Sequence, residues 1–185
     1  MDITTLFMWN TAAVACFMAA LWVVSIAKKD ASIVDIFWGI GFTLVAWTGF
    51  FLSDGYFTRR LLVAVCVTLW GARLAVYIFI RNRGKGEDYR YRRWREQAGD
   101  KWWWQSYFKV FLLQGLLLWI ISAPLLAAQI RPTPAHLTWL DGLGILAYIG
   151  LTALIVGGWV WGWLRAAGGI LPGNTAANAR WLTYS

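Results

Sequence analysis

Two ionisable side chains interrupt apolar runs of this sequence: Asp35 in SIVDIFWGIGF and Arg73 in LWGARLAVY. A charge facing hydrocarbon costs at least about 2.5 kcal/mol, so such residues turn toward a bundle interior and find partners. Counted from the ends of their runs, Asp35 lies about 6 Å deep and Arg73 about 12 Å deep at the helical rise per residue. An arginine side chain covers that difference, which makes an Asp35–Arg73 pair possible. Trp38 shares the Asp35 face at i+3, and Trp70 and Tyr77 share the Arg73 face at i−3 and i+4. Two readings stay open: a charge pair that locks two helices, or a cytoplasm-facing polar pocket that Asp35 and Arg73 line. Gln114, in FKVFLLQGLLLW, is a third polar candidate, and its ordinary role is a helix–helix hydrogen bond.

The stretch GKGEDYRYRRWREQ, 84–97, supplies the other possible chemistry. From Arg81 to Lys109 there are nine basic and four acidic residues, a net charge of +5. WWWQSY, 102–107, follows directly, and aromatics beside such a charge run are expected at the level of lipid headgroups. Each nearby Lys or Arg adds about 1 kcal/mol of attraction to an anionic leaflet. That explains the basic–aromatic mixture without nucleic acid. Glu87 and Asp88 do not fit a purely lipid-binding segment, because they repel anionic headgroups. They fit better as partners of neighbouring arginines that shape the loop around an anionic ligand, for which a phosphate-bearing cofactor is suited. His136 is the one histidine, in RPTPAHLTW, with no Cys, Asp or Glu cluster near it, so neither a metal site nor triad chemistry is expected. Dinucleotide, P-loop and nucleophile-elbow patterns are missing, which excludes soluble nucleotide folds.

These residues sit in a chain that is 59% hydrophobic and only 14% charged, where a soluble domain carries about 25% charged residues. The predicted architecture is all-α: a multi-pass transmembrane bundle of about five spanning helices, over roughly 6–27, 32–52, 61–80, 108–130 and 143–164. The first run has no basic leader and no small-residue exit, so it is expected to remain as an anchor. Thirteen Lys/Arg fall on one side of this topology and three, Arg59, Arg60 and Arg131, on the other. The positive-inside rule then puts the N-terminus outside and the 81–107 loop in the cytoplasm. Residues 1–164 form one predicted domain in the cell membrane, and 165–185 a poorly ordered tail. Cys16 and Cys66 lie in apolar runs and set no redox compartment. The sequence sets no oligomeric state.

Three stretches together carry a resemblance: SIVDIFWGIGF, then LWGARLAVYIFIRNRGKGEDYRYRRWREQAGDKWW, then FKVFLLQGLLLWIISAPL. They resemble bacterial membrane proteins related to steroid 5-alpha-reductases, over roughly 31–124. The resemblance implies a helical bundle with a cytoplasm-facing site for NADPH. The implied reaction is reduction of a polarised carbon–carbon double bond in a small apolar or lipid substrate. Carried over by motif, Asp35, Trp38 and Arg73 would border the pocket, and Glu87, Asp88, Tyr89, Arg90 and Tyr91 would lie near the cofactor. The wider superfamily also implies a methyltransferase using S-adenosylmethionine as an alternative, and a non-catalytic membrane scaffold is a third. The family's R-H-P-N-Y-x-G segment is not found, so a truncated or frameshifted member with a non-native tail after about Gly158 is expected.

Overall fold

A computed structural model describes residues 2–168, which are helical with no strand among them. Among the described residues, five helical runs are long and apolar enough to cross a membrane: Ile3–Lys28, Ile33–Leu52, Phe57–Asn82, a continuous Tyr89–Ile130, and Trp139–Gly162. The chain divides into two units, the first ending at Leu137 and the second beginning at Thr138.

In the first unit, α1 (Ile3–Lys28) starts on Asp2, whose carboxylate accepts the Thr5 N–H at 3.0 Å. It stops at Lys29, which takes the left-handed conformation (φ 53°) that ends many helices. Next come α2 (Ile33–Leu52), α3 (Phe57–Asn82) and the short polar α4 (Tyr89–Ala98). A 3-10 turn at Gly99–Lys101, α5 (Trp102–Ser106) and a π-helical stretch at Tyr107–Leu112 lead into α6 (Leu113–Ile130). The Tyr89–Ile130 run has 42 residues, about twice what hydrocarbon requires. Its arginine-rich first part, α4, is therefore an extramembrane element. The 81–107 loop drawn from sequence is thus mostly helical.

Helix α2 is central and packs on α1, α3 and α6. It meets α3 where two glycines face each other: a Cβ on Gly39 would lie 2.5 Å from the Gly71 carbonyl oxygen. Beside this crossing, Trp38, Phe42 and Trp70 form an edge-to-face ladder with centroids 5.3 and 5.5 Å apart. The Trp47 indole N–H donates to Thr68 Oγ1 at 3.0 Å, a second α2–α3 tie. Val34, Val45, Phe111, Leu118 and Leu126 fill the interior.

The end of α2 opposite α4 is closed by polar groups. Arg60, in the first turn of α3, donates to the carbonyls of Phe50 (2.9 Å) and Ser53. These are C-terminal carbonyls that α2 itself cannot satisfy. Arg59 is almost buried and donates to the His136 carbonyl at 3.1 Å. Both arginines, drawn from sequence in a loop, belong to α3 because the helix continues past its apolar part. Gln129 is wholly buried and donates to the carbonyls of Ala46 (3.0 Å) and Arg60 (3.3 Å). Buried Ser53 donates its hydroxyl to the Gln129 carbonyl at 2.9 Å. Ser53→Ala is expected to lower stability by about 1 kcal/mol, one neutral hydrogen bond, read as a fall in Tm in detergent.

The second unit is described through α7 (Trp139–Gly168). Thr138 and Asp141 form a reciprocal cap: the Asp141 carboxylate accepts the Thr138 N–H at 2.7 Å and its hydroxyl at 2.8 Å. Helix α7 passes the expected end of the fifth span at Leu164. The remainder of the tail drawn from sequence, 169–185, lies outside the described residues.

Candidate functional site

The polar residues of the sequence converge where α4 folds over the first turn of α2. The turn between α1 and α2 is shaped by Asp30, whose Oδ1 accepts the Ser32 N–H (2.9 Å) and hydroxyl (2.5 Å). Asp35 then enters the first turn of α2, where the exposed N–H dipoles favour a negative charge. Its Oδ1 accepts the Tyr91 hydroxyl at 3.0 Å, and its Oδ2 faces Arg90 Nη2 at 3.4 Å. Arg90 also lies over the Tyr91 ring, 5.5 Å from its centroid. The amide of Gln114, from α6, lies close enough to the Tyr91 hydroxyl to influence its ionisation. Three helices thus contribute one side chain each around a phenol that is only 4% exposed. Burial, with Asp35 beside it, pushes the Tyr91 phenol well above its usual range, so Tyr91 keeps its proton and donates.

The acidic pair beside this cluster holds the fold. Asp88 caps α4 by accepting the Arg90 N–H at 2.9 Å, and its Oδ1 also takes Arg90 Nε at 3.0 Å. The Arg90 hydrogen bond holds the Asp88 carboxyl below the usual carboxylate range. Glu87 grips Arg95 with both oxygens, at 2.8 and 3.1 Å, and accepts the Ala31 N–H at 2.8 Å. One carboxylate therefore ties α4 to the α1–α2 turn. Arg95 continues over the Trp102 ring at 5.8 Å, which carries the link into α5.

Asp35, expected at the pocket, is in direct contact with Tyr91, expected near the cofactor, and Arg90 lies beside them. Asp35 is partnered by α4, not by Arg73. Arg73 and Trp38 each keep a buried ring or guanidinium N–H without an acceptor: Arg73 Nε and Trp38 Nε1. Tyr89 is 72% exposed and touches none of this. Two wholly buried amides, Asn10 and Gln129, were not singled out from sequence. Their signal was the one that marks Gln114, a polar amide inside an apolar run.

A family described as "Protein of unknown function (DUF1295)" matches residues 21–159, three quarters of the sequence. The chain belongs to the DUF1295 family. That family lies within the steroid 5-alpha-reductase-like superfamily. Its match takes in the Asp35–Tyr91–Gln114 cluster, the Glu87 tie and the Gly39–Gly71 crossing. This DUF1295 chain is also similar to a Schizosaccharomyces pombe protein titled "Uncharacterized protein C594.04c", 36% identical over 118 residues. The aligned part is 60% of this chain and 34% of that relative, so the chain spans about a third of the relative's length. No solved structure matches.

Proposed function

We propose that this membrane protein is, or forms part of, an NADPH-dependent reductase of a conjugated carbon–carbon double bond in a lipid. The observation that carries the reading is the buried Tyr91–Asp35 hydrogen bond, 3.0 Å long, at the end of an apolar bundle that α4 covers. The Lys/Arg bias supports a cytoplasmic position for that end, with the N-terminus outside. Among the described residues, Arg83, Lys85 and Arg93 have no carboxylate partner, and they suit the phosphates of NADPH. The unpartnered Trp38 Nε1 and Arg73 Nε suit oxygen atoms of a bound molecule, since buried donors normally have acceptors.

NADPH, when bound, supplies the hydride that goes to one carbon of the double bond. The chain's own residues manage the other half of the reduction, which is a proton. With Asp35 protonated, Tyr91 donates its O–H to the carbonyl conjugated with the double bond and polarises it. As negative charge grows on that oxygen, the Tyr91 proton moves to it, giving the enol, and the Asp35 proton replaces it on the phenol. The enol then takes a proton from water at the neighbouring carbon and returns its O–H proton to water, which completes the reduction. Asp35 ends as the carboxylate held by the Tyr91 hydroxyl and Arg90, the arrangement of the present structure. Glu87 and Asp88 are positioning residues that hold α4, and with it Tyr91, over α2.

The test uses purified protein in nanodiscs. NADPH is expected to quench tryptophan fluorescence saturably, and an amphiphilic enone is expected to drive NADPH oxidation. Tyr91→Phe is expected to lower that rate by about a hundredfold or more, the scale of general-acid catalysis, with NADPH binding nearly unchanged. Binding of S-adenosylmethionine instead of NADPH would overturn the reading in favour of a methyltransferase. Binding of neither would leave a non-catalytic membrane scaffold.

A further inference from the structure

A second polar concavity lies away from the Tyr91 cluster, in the elbow where α4 turns into α5. Gly99, with φ 53°, makes that turn, and the 3-10 segment it begins redirects the chain. The result is a cleft of about 340 Å³ lined by Trp94, Gln97, Ala98, Lys101, Gln105 and Lys109. A water occupies about 30 Å³ of liquid, so the cleft has room for about ten, or for a phosphodiester with part of its own hydration.

The lining carries two ammonium groups, two carboxamides and no carboxylate. Lys109 is steadied by Gln105, whose Oε1 accepts from its Nζ at 3.2 Å. Glu87 is committed to Arg95 and Asp88 to Arg90, and the other two acidic residues of this stretch, the exposed Glu96 and Asp100, are not part of the cleft lining. Lys109 stands at the start of the apolar run drawn from about residue 108, which puts it at the end of the spanning segment, within reach of the headgroups. Trp103, Trp104, Phe108 and Leu112 are exposed on the same stretch, as residues at a membrane interface are. Charge, depth and shape agree on one class of ligand.

We infer that the α4–α5 elbow is a binding site for the phosphate of an anionic phospholipid headgroup, held by Lys101 and Lys109 against Trp94. The site is separate from the reductase reading, and it stands if that reading fails. A headgroup seated there pins α5 to the membrane surface. It thereby fixes the height of α4, and so of Tyr91, relative to the bilayer.

The test is native mass spectrometry of the full chain released from nanodiscs of phosphatidylcholine with a minor share of phosphatidylglycerol. The wild type is expected to retain phosphatidylglycerol adducts in preference to phosphatidylcholine. The double variant K101Q/K109Q is expected to weaken that retention about a hundredfold, the loss of two charge-assisted hydrogen bonds of about 1.5 kcal/mol each. The variant K28Q/K29Q removes the same charge at the end of α1, outside the cleft, and is expected to change retention little. Equal losses in the two double variants would overturn the proposal in favour of diffuse surface attraction. A parallel titration with inorganic phosphate in detergent separates the sources. Competition there without preference for the lipid would show a free-phosphate site and overturn the headgroup assignment. All the substituted lysines are exposed, and Tm in pure phosphatidylcholine checks that each variant folds.

Discussion

Gly39→Leu is expected to abolish recovery of folded, monodisperse protein from detergent extracts. At this position even the first side-chain atom would lie 2.5 Å from the Gly71 carbonyl oxygen and 2.9 Å from the Gly71 Cα. The obstacle is backbone, which has no alternative rotamer, so α2 and α3 must separate. Separation would break the Phe42–Trp70 ring contact and the Trp47–Thr68 hydrogen bond, which both cross from α2 to α3 and need the present distance. Overpacking a core usually costs about 1–3 kcal/mol, and a clash of two helix backbones belongs at or above the top of that range. Apolar solvent gives little help, since helices in a bilayer associate largely through close packing of small residues. Gly71→Leu should fail in the same way, because its Cβ would lie 2.4 Å from the Gly39 carbonyl oxygen. Gly115→Ala is the control: its Cβ would meet Met18 Cγ at 3.0 Å, and a flexible methionine can move aside. Normal yield and Tm for Gly39→Leu would show that the crossing is not the contact that holds these helices.

Glu87→Ala is expected to cost about 3 kcal/mol and to release α4 from the bundle. The substitution removes a two-oxygen grip on Arg95 and leaves the Ala31 N–H without its acceptor. Ala31 is 1% exposed, so water does not replace the lost partner. Arg95 is less affected, because its side chain is 29% exposed and rehydrates. Glu87→Gln separates the two contributions: its amide oxygen can still accept from Ala31, while the charge on Arg95 goes unanswered. About half the loss is expected for it. Tm in detergent reports the energy, and trypsin reports the place, since Arg92 and Arg93 on α4 should be cut faster once α4 lifts. Unchanged cleavage in Glu87→Ala would mean that α4 is held by other contacts, the Tyr91–Asp35 bond foremost.

The helical architecture was legible because apolar runs of about twenty residues permit only one spanning form in such a chain. The helix ends were less so. Helices α1 and α3 extend beyond their apolar parts by side-chain caps and by the arginines at the start of α3, and hydropathy does not record either. The partner of Asp35 was misjudged for a related reason. Arg73 was the only other charge in an apolar run, whereas Tyr91 and Arg90 read as parts of a surface loop. Asp35 and Tyr91 are 56 residues apart, and only the docking of α4 joins them. Glu87 and Asp88 were expected to pair with neighbouring arginines. The contact with the Ala31 backbone, which makes Glu87 a tie between elements, had no sequence signal.

By itself the sequence determined only properties that composition along one dimension can carry. It settled which runs are long and apolar enough to cross a bilayer, and it carried the expectations that Asp35 needs a partner and that the basic stretch after α3 is too polar to enter hydrocarbon. Those conclusions need only the cost of polar groups in hydrocarbon, which each segment bears alone. The tertiary structure decided which partners were found: Tyr91 and Arg90 for Asp35, Ala31 and Arg95 for Glu87, and Gly71 for Gly39. Such pairings depend on how helices cross and where α4 lies, and these are properties of packed surfaces that no single segment carries.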